Sequence, residues 1–170
     1  MDRLEVPRNI SLAEKTLEKN RETFLKDHHL ISLIEGLKAA IEHSEIERLK
    51  TGVAAECARC GVLNNDCCGR GIELRYSREL LLINLLLDVN LPTSRHNENS
   101  CYFLTPEGCC LKARDVFCIN FLCRKITDRI PPERLLLLRE FEGEMLEIIF
   151  RLEERIKMLL SKQEIEVVTG

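Results

Sequence analysis

Cysteine is the residue in this chain best suited to do chemistry, and its placement is uneven. All nine cysteines lie between positions 57 and 123 of a 170-residue chain. They form two groups, Cys57, Cys60, Cys67 and Cys68, followed by Cys101, Cys109, Cys110, Cys118 and Cys123. Adjacent cysteines seldom face one apolar pocket, whereas thiolates commonly converge on a metal ion or an iron–sulfur cluster. We therefore expect a thiolate-ligated metal centre.

The spacing of the first group favours metal binding without deciding the metal. Cys57 and Cys60 form a C-x2-C pair followed by Gly61, whose conformational freedom suits a turn that aims both sulfurs at one ion. The remaining spacings match neither a simple zinc ribbon nor the bacterial ferredoxin run. Zinc and an iron–sulfur cluster both stay open. Cys110 or Cys118, taken singly, is also compatible with ordinary core packing.

The distribution of charge favours a site for negative charge within the cysteine segments. The chain carries a formal net charge of −3, which argues against general binding to nucleic acid or to an anionic membrane surface. In residues 57–75 and in residues 101–125, however, arginine and lysine outnumber aspartate and glutamate. Nearby cations lower the pKa of thiols and offset the negative charge of a thiolate-bound metal. A basic surface for an anionic ligand is the competing interpretation.

The sequence predicts a cytoplasmic protein that does not span a membrane. Its N-terminal residues are charged and polar, and its strongest apolar run, 80–87, is far shorter than the ~20 residues that cross a bilayer. An odd number of cysteines in a reducing compartment makes a disulfide framework the weaker hypothesis. His28, His29, His43 and His96 are expected on the surface rather than at a metal.

A single, mainly α-helical domain is predicted to position the cysteines. We expect a helical bundle with two long helices, a buried central helix and a cysteine-rich metal-binding loop region. Residues 10–51 would form an N-terminal helical arm that begins at a capping box at Ser11 and packs on little before Leu30. Residues 53–130 would form the cysteine-rich core, and residues 131–162 the long C-terminal helix.

Local signals add detail to the central and C-terminal helices. Ser77 is a suitable N-cap for a central helix over residues 80–89. Asn84 and Asp88 share a face of that helix and are expected to contact the cysteine loops, with an exposed polar edge as the alternative. Pro132 suits the first turn of the C-terminal helix, where its missing N–H costs nothing. The apolar stripe of that long helix predicts a scaffold, with a homodimer seam as the alternative.

The cysteine pattern resembles a known family. The run Cys-x2-Cys, then Cys-Cys, a helix and "CYFL" at 101–104 is similar to the zinc- or iron-chelating cysteine-cluster family, also called CxxCxxCC or YkgJ-like. The similarity covers about residues 57–125, with more residues than usual between the first two cysteine pairs and with Cys110 additional to the pattern. It implies Arg114 as a cofactor-binding partner near the metal. It implies the metal ligands Cys57, Cys60, Cys67, Cys68, Cys101, Cys109, Cys118 and Cys123, with Cys110 as the alternative to Cys109.

These features predict a cysteine-ligated metal-binding protein with an iron–sulfur cluster or zinc as its cofactor. Under this hypothesis the metal centre could also have a redox role, with a redox or protein partner. The alternative is a non-catalytic, zinc-stabilised helical interaction module, and a metal-free thiol redox sensor is a third hypothesis. The sequence marks no catalytic residue, so enzymatic activity stays open.

Overall fold

The computed structural model describes residues 5–63 and 68–169, with side chains for all of these except 60–63, 125 and 163–169. The predicted mainly α fold is confirmed. The helices are α1 (Glu5–Lys26), α2 (His28–Lys50), α3 (Val53–Leu63), α4 (Arg78–Leu86), α5 (Val116–Asn120), α6 (Arg124–Thr127) and α7 (Pro132–Thr169). A 3₁₀ turn at Ile72–Arg75 precedes α4, and two short strands, β1 (Leu104–Thr105) and β2 (Gly108–Cys109), form an antiparallel hairpin.

The N-terminal arm is two helices, and the prediction of one helix beginning at Ser11 is wrong. α1 already includes Glu5, and the chain breaks at Asp27, whose carboxylate accepts a hydrogen bond from the Leu30 N–H at 2.7 Å and so caps α2. The expectation of sparse packing before Leu30 is also wrong. α1 packs against α4, and its buried side chains include Val6, Ile10, Ala13 and Phe24.

Asp27 also joins the start of α2 to the long C-terminal helix. Arg155 on α7 donates from Nε to Asp27 Oδ1 at 3.0 Å, and this hydrogen bond holds the pKa of the Asp27 carboxyl below its ordinary value of 3.8. Because the folded-state pKa is lowered, the contribution to stability is present above that ordinary value and is lost as the pH falls through the lowered pKa.

Replacing Asp27 by alanine is therefore expected to lower the free energy of unfolding by about 1–2 kcal/mol at pH 7 through loss of the helix cap. The difference from the wild type should shrink between pH 7 and pH 2, because the wild-type carboxyl takes up a proton as the pH falls through its lowered pKa. Urea denaturation at both pH values measures it. Asp27→Asn keeps a capping oxygen without the charge, so it should retain most of the stability. An alanine variant as stable as the wild type at pH 7 would exclude the cap.

The central helix forms as predicted at its beginning. Ser77 Oγ accepts a hydrogen bond from the Leu80 N–H at 3.0 Å, which makes Ser77 the N-cap of α4. The helix ends at Leu86, three residues before the expected end. It packs against α1 and α7, and its segment from Leu80 to Asn84 is almost wholly buried.

The C-terminal helix begins at Pro132 as predicted and continues to Thr169, beyond the expected end at 162. It packs mainly against α2 and also against α4, so its apolar stripe serves the core of this chain. The buried members of that stripe are Leu138, Met145, Ile149, Leu152, Ile156 and Leu159. A homodimer through the long helices stays a prediction. Among the described residues, no helix combines the length and the apolar character needed to cross a membrane.

The cysteine-rich part contains more regular structure than predicted. The C-x2-C pair lies within α3, so Gly61 continues a helix and the expected glycine turn is wrong. Strong helix formers such as Ala54 and Ala55 explain the difference. The hairpin was not predicted. Gly108 closes it with a φ of 114°, and a Cβ at that position would lie 4.0 Å from the Ala58 nitrogen, so the hairpin packs closely on α3.

Candidate metal centre

A cavity of about 310 Å³ lies where α2, α3, the hairpin and α5 meet. It is roughly twice the volume of the ~150 Å³ engineered cavity that accommodates benzene. Cysteines from both sequence groups line it, together with apolar side chains, two arginines and three glutamates. The lining cysteines are Cys57, Cys68, Cys101, Cys109, Cys118 and Cys123. The structure thus brings six of the eight predicted ligands to one cavity. The Cys60 side chain and the whole of Cys67 lie outside the described residues.

Backbone hydrogen bonds hold the two cysteine groups together. The Cys101 N–H donates to the Cys68 carbonyl at 2.7 Å, and Gly69 forms an isolated β-bridge with Ser100. The Arg70 N–H donates to the Asn99 carbonyl at 3.0 Å, which continues the pairing. Two segments separated in sequence by the central helix are therefore joined edge to edge at the cavity wall.

Cys57 and Cys123 reach the cavity from another side. Cys57 lies on α3, and Cys123 is the residue immediately before α6, where it occupies the N-cap position. Both pack against one small apolar cluster, which consists of Val53, Ile126, Ile130 and Leu138. Because α7 contributes Leu138 to this cluster, the long C-terminal helix fixes the distance between α3 and α6.

The hairpin separates the two candidates for one ligand position. Cys109 ends β2 and lies exposed at the cavity, whereas Cys110 is half-buried against the main core and is not among the lining residues. Burial raises the pKa of the Cys110 thiol to about 12, as expected for a core thiol. The placement favours Cys109 as the ligand.

Cys109 is an electrostatic neighbour of two other cavity thiols. Burial raises the pKa of Cys101 and of Cys118, and the nearby Cys109 raises both further. Cys101, Cys109 and Cys118 are free thiols. Metal binding at such a site releases protons, because only the thiolate is a ligand. Within the described side chains, no three His, Cys, Asp or Glu residues are close enough together to hold a single ion.

Two arginines supply positive charge to the cavity wall. Arg48 on α2 is 5% exposed, donates from Nη1 to Glu142 Oε1 at 2.8 Å, and approaches Cys57 Sγ to 4.0 Å from Nη2. Arg114, predicted from the sequence pattern, lines the same cavity. Its Nε is buried and has no hydrogen-bond partner in the described part of the chain. Burial lowers the pKa of Arg48, and the neighbouring charge of Arg114 lowers it further.

Arg48 was not predicted as a cavity residue, although the sequence carries a signal for it. Leu37, Ile41 and Ser44 mark the buried face of α2 in steps of four and three, and the next step of four reaches Arg48. A charged side chain on the buried face of a helix needs a partner, and here Glu142 on α7 provides one.

Asn84 contacts the cysteine-rich segment, as predicted, and anchors the stretch between β2 and α5 that carries Arg114. The Asn84 amide donates from Nδ2 to the Ala113 carbonyl at 2.8 Å, and its Oδ1 accepts from the N–H groups of Lys112 at 2.9 Å and Ala113 at 3.1 Å. Asn84 is fully buried, whereas Asp88, expected on the same face, is exposed. The Asn84 side chain therefore makes hydrogen bonds with residues 112 and 113 of the kind that a neighbouring β-strand would make.

Replacing Asn84 by leucine is expected to lower the free energy of unfolding by about 2–3 kcal/mol, because the buried N–H and carbonyl of Ala113 and the part-buried N–H of Lys112 lose their partner. Chemical denaturation followed by circular dichroism measures the change. Asn90→Leu, an exposed position beyond the same helix, should change the stability by less than about 0.5 kcal/mol. Equal losses in the two variants would contradict the anchoring role.

The histidines are exposed, as predicted. His28, His29, His43 and His96 lie at the surface, and none is among the cavity-lining residues. In the described part of the chain, cysteine is therefore the residue type that offers soft metal ligands to the cavity.

Comparison of the chain with models of protein families, with curated proteins and with solved structures gives no match. The resemblance to the cysteine-cluster family accordingly stays a prediction that rests on the residues quoted for it.

Proposed function

We propose that this chain is a metalloprotein whose cysteines hold an iron–sulfur cluster or zinc in the cavity, with a redox role for the cluster form. The observation that carries the proposal is that six cysteines from two separate sequence groups line one cavity. Cysteines that serve only as small core residues would not be expected to line the same cavity. A reducing compartment such as the cytoplasm would keep their thiols available.

The size of the cavity favours a cluster over a single zinc ion. Four sulfurs on one zinc, at ~2.3 Å from the metal in tetrahedral geometry, lie only about 3.8 Å apart. The six lining cysteines instead surround about 310 Å³, and a polynuclear cluster spreads its cysteine ligands over more space than one ion does. The donor set fits both cofactors chemically, because thiolates suit zinc and iron–sulfur clusters.

The arginines fit a thiolate-bound centre electrostatically. Four thiolates on a divalent ion or a doubly charged cluster leave a net charge of −2, which is costly to bury without compensation. Arg48 and Arg114 border the cavity, and Arg48 lies close to the Cys57 sulfur. These cations lower the free energy of the thiolate form and so favour metal binding.

A zinc-stabilised interaction module is the second candidate. Val116, Phe117 and Phe121 on and beside α5 are 45–50% exposed, and the two phenylalanine rings stack at 5.9 Å beside the cavity. Exposed aromatic side chains of this kind are typical of protein-binding surfaces. Zinc would then hold α5 in place without taking part in chemistry.

The test is purification under anaerobic conditions, followed by a visible spectrum and by quantification of iron, sulfide and zinc. Iron with sulfide and broad absorbance near about 400 nm would support the cluster. Zinc in a colourless protein would favour the second candidate. Protein with neither metal, and with thiols that oxidise reversibly, would overturn both and favour a thiol sensor.

A further inference from the structure

Tyr76 is a buried polar residue at the cavity wall, and it is not one of the proposed metal ligands. It lies between the 3₁₀ turn and the cap of α4, is 3% exposed, and packs its ring edge-on against Phe103 with 5.0 Å between the centroids. Its hydroxyl reaches the cavity, where it lies 3.7 Å from the Cys118 sulfur.

The hydrogen-bond geometry fixes the direction of the hydroxyl proton. The Asp115 N–H donates to the Tyr76 oxygen at 3.4 Å, so this oxygen already serves as an acceptor. A phenol has one proton to donate, and Cys118 Sγ is the acceptor it meets. The hydroxyl is thus held between the backbone at the start of α5 and a cavity sulfur.

Arg75, the residue before Tyr76, also contacts the beginning of α5. Arg75 donates from Nε to Asp115 Oδ1 at 2.8 Å, and that carboxylate caps α5 by accepting from the Phe117 N–H at 2.9 Å. Arg75 therefore secures the backbone of α5, while Tyr76 contacts the sulfur that α5 carries. Removing the Tyr76 hydroxyl breaks its contacts with the Cys118 sulfur and with the Asp115 N–H, but it leaves the Arg75 contact with the Asp115 carboxylate to hold α5.

We propose that Tyr76 is a positioning residue that donates a hydrogen bond to the Cys118 thiolate and thereby tunes the bound metal. This inference rests on the proposed function. A hydrogen bond withdraws electron density from a thiolate ligand and stabilises the reduced state of the metal, so it raises the reduction potential. Tyr76 would set the potential of the centre without being a ligand.

The test compares the wild type with Tyr76→Phe, which keeps the ring and removes only the hydroxyl. Anaerobic redox titration of the iron–sulfur form should show a more negative midpoint in Tyr76→Phe. We expect about a tenfold change in the reduction equilibrium, which is ~59 mV for a one-electron couple. If the protein binds zinc, Co²⁺ is substituted for the zinc in both proteins. The sulfur-to-cobalt charge-transfer band of Tyr76→Phe should then lie at lower energy than that of the wild type.

Tyr102 provides the matched control. It is the only other tyrosine, is also buried against Phe103, and is not among the cavity-lining residues. Tyr102→Phe should leave the potential or the band unchanged. In that background, biosynthetic incorporation of 3-fluorotyrosine labels Tyr76 alone, and its more acidic phenol should shift the signal in the direction opposite to Tyr76→Phe.

The failures are distinguishable. A wild-type protein that binds no metal would end the proposed function and the tyrosine inference with it. A metal-bound wild type whose signal is unchanged in Tyr76→Phe, or changes equally in Tyr102→Phe, would end the tyrosine inference alone. Circular dichroism of each variant verifies that the fold is intact.

Discussion

Replacing Cys109 by serine is expected to weaken metal binding by about 100-fold, whereas replacing Cys110 by serine should leave it nearly unchanged. Cys109 lines the cavity, and its neighbour packs on the core instead. A structural metal held by four ligands contributes ~12 kcal/mol of binding free energy, so one ligand accounts for about 3 kcal/mol, or roughly 100-fold. The two variants differ by one position in sequence and by the side of the hairpin that they occupy.

Metal content after purification and the midpoint of thermal unfolding measure this pair. Because metal binding is coupled to folding, Cys109→Ser should unfold at a temperature between that of the wild type and the still lower temperature of wild-type protein treated with a chelator. Cys110→Ser should lose only about 1 kcal/mol, the cost of a polar atom in the core. The reverse order of metal loss would make Cys110 the ligand, and equal retention in both would remove the hairpin from the site.

Replacing Glu142 by alanine is expected to lower the free energy of unfolding by about 3–5 kcal/mol. Its carboxylate accepts hydrogen bonds from Arg48 at 2.8 Å and from Arg139 at 2.9 Å, and the side chains of Glu142 and Arg48 are only 2% and 6% exposed. Removing the carboxylate leaves a buried guanidinium without its counter-charge, which costs more than the pair itself contributes. The loss should also weaken metal binding, because Arg48 borders the cavity.

Urea denaturation of Glu142→Ala beside Glu144→Ala measures this effect. Glu144 lies on the same helix and is exposed, so its replacement should change the stability by less than about 0.5 kcal/mol. If both variants unfold at the same urea concentration as the wild type, the buried pair does not hold α2 to α7.

The long helices were predictable because each carries its own signal. Pro132 at the first turn and apolar residues in steps of three and four predict the beginning and the buried face of α7, and Ser77 predicts the beginning of α4. The break at Asp27 was not predicted, although aspartate is a local N-cap signal, and Arg155, the second partner of its carboxylate, lies far away in sequence. Tertiary contacts of this kind leave no local pattern.

The cysteine region was predictable in composition but not in geometry. The sequence indicates that the two cysteine groups belong together, and the structure places members of both around one cavity. The sequence did not indicate that the C-x2-C pair lies in a helix, because the glycine after the pair suggested a turn. Tyr76 was missed for a similar reason, since a lone tyrosine before a helix has no sequence signature of a sulfur contact. Metal binding itself, and the identity of the metal, stay predictions.

The most direct measurement is a crystal structure of anaerobically purified protein with anomalous diffraction at the iron and zinc absorption edges. If cysteines of both sequence groups bind a metal, anomalous density should lie within the cavity, with sulfurs from residues 57–68 and from residues 101–123 at about 2.3 Å from the metal. A cavity without anomalous density, surrounded by protonated thiols that contact no metal, would contradict metal binding by these cysteines.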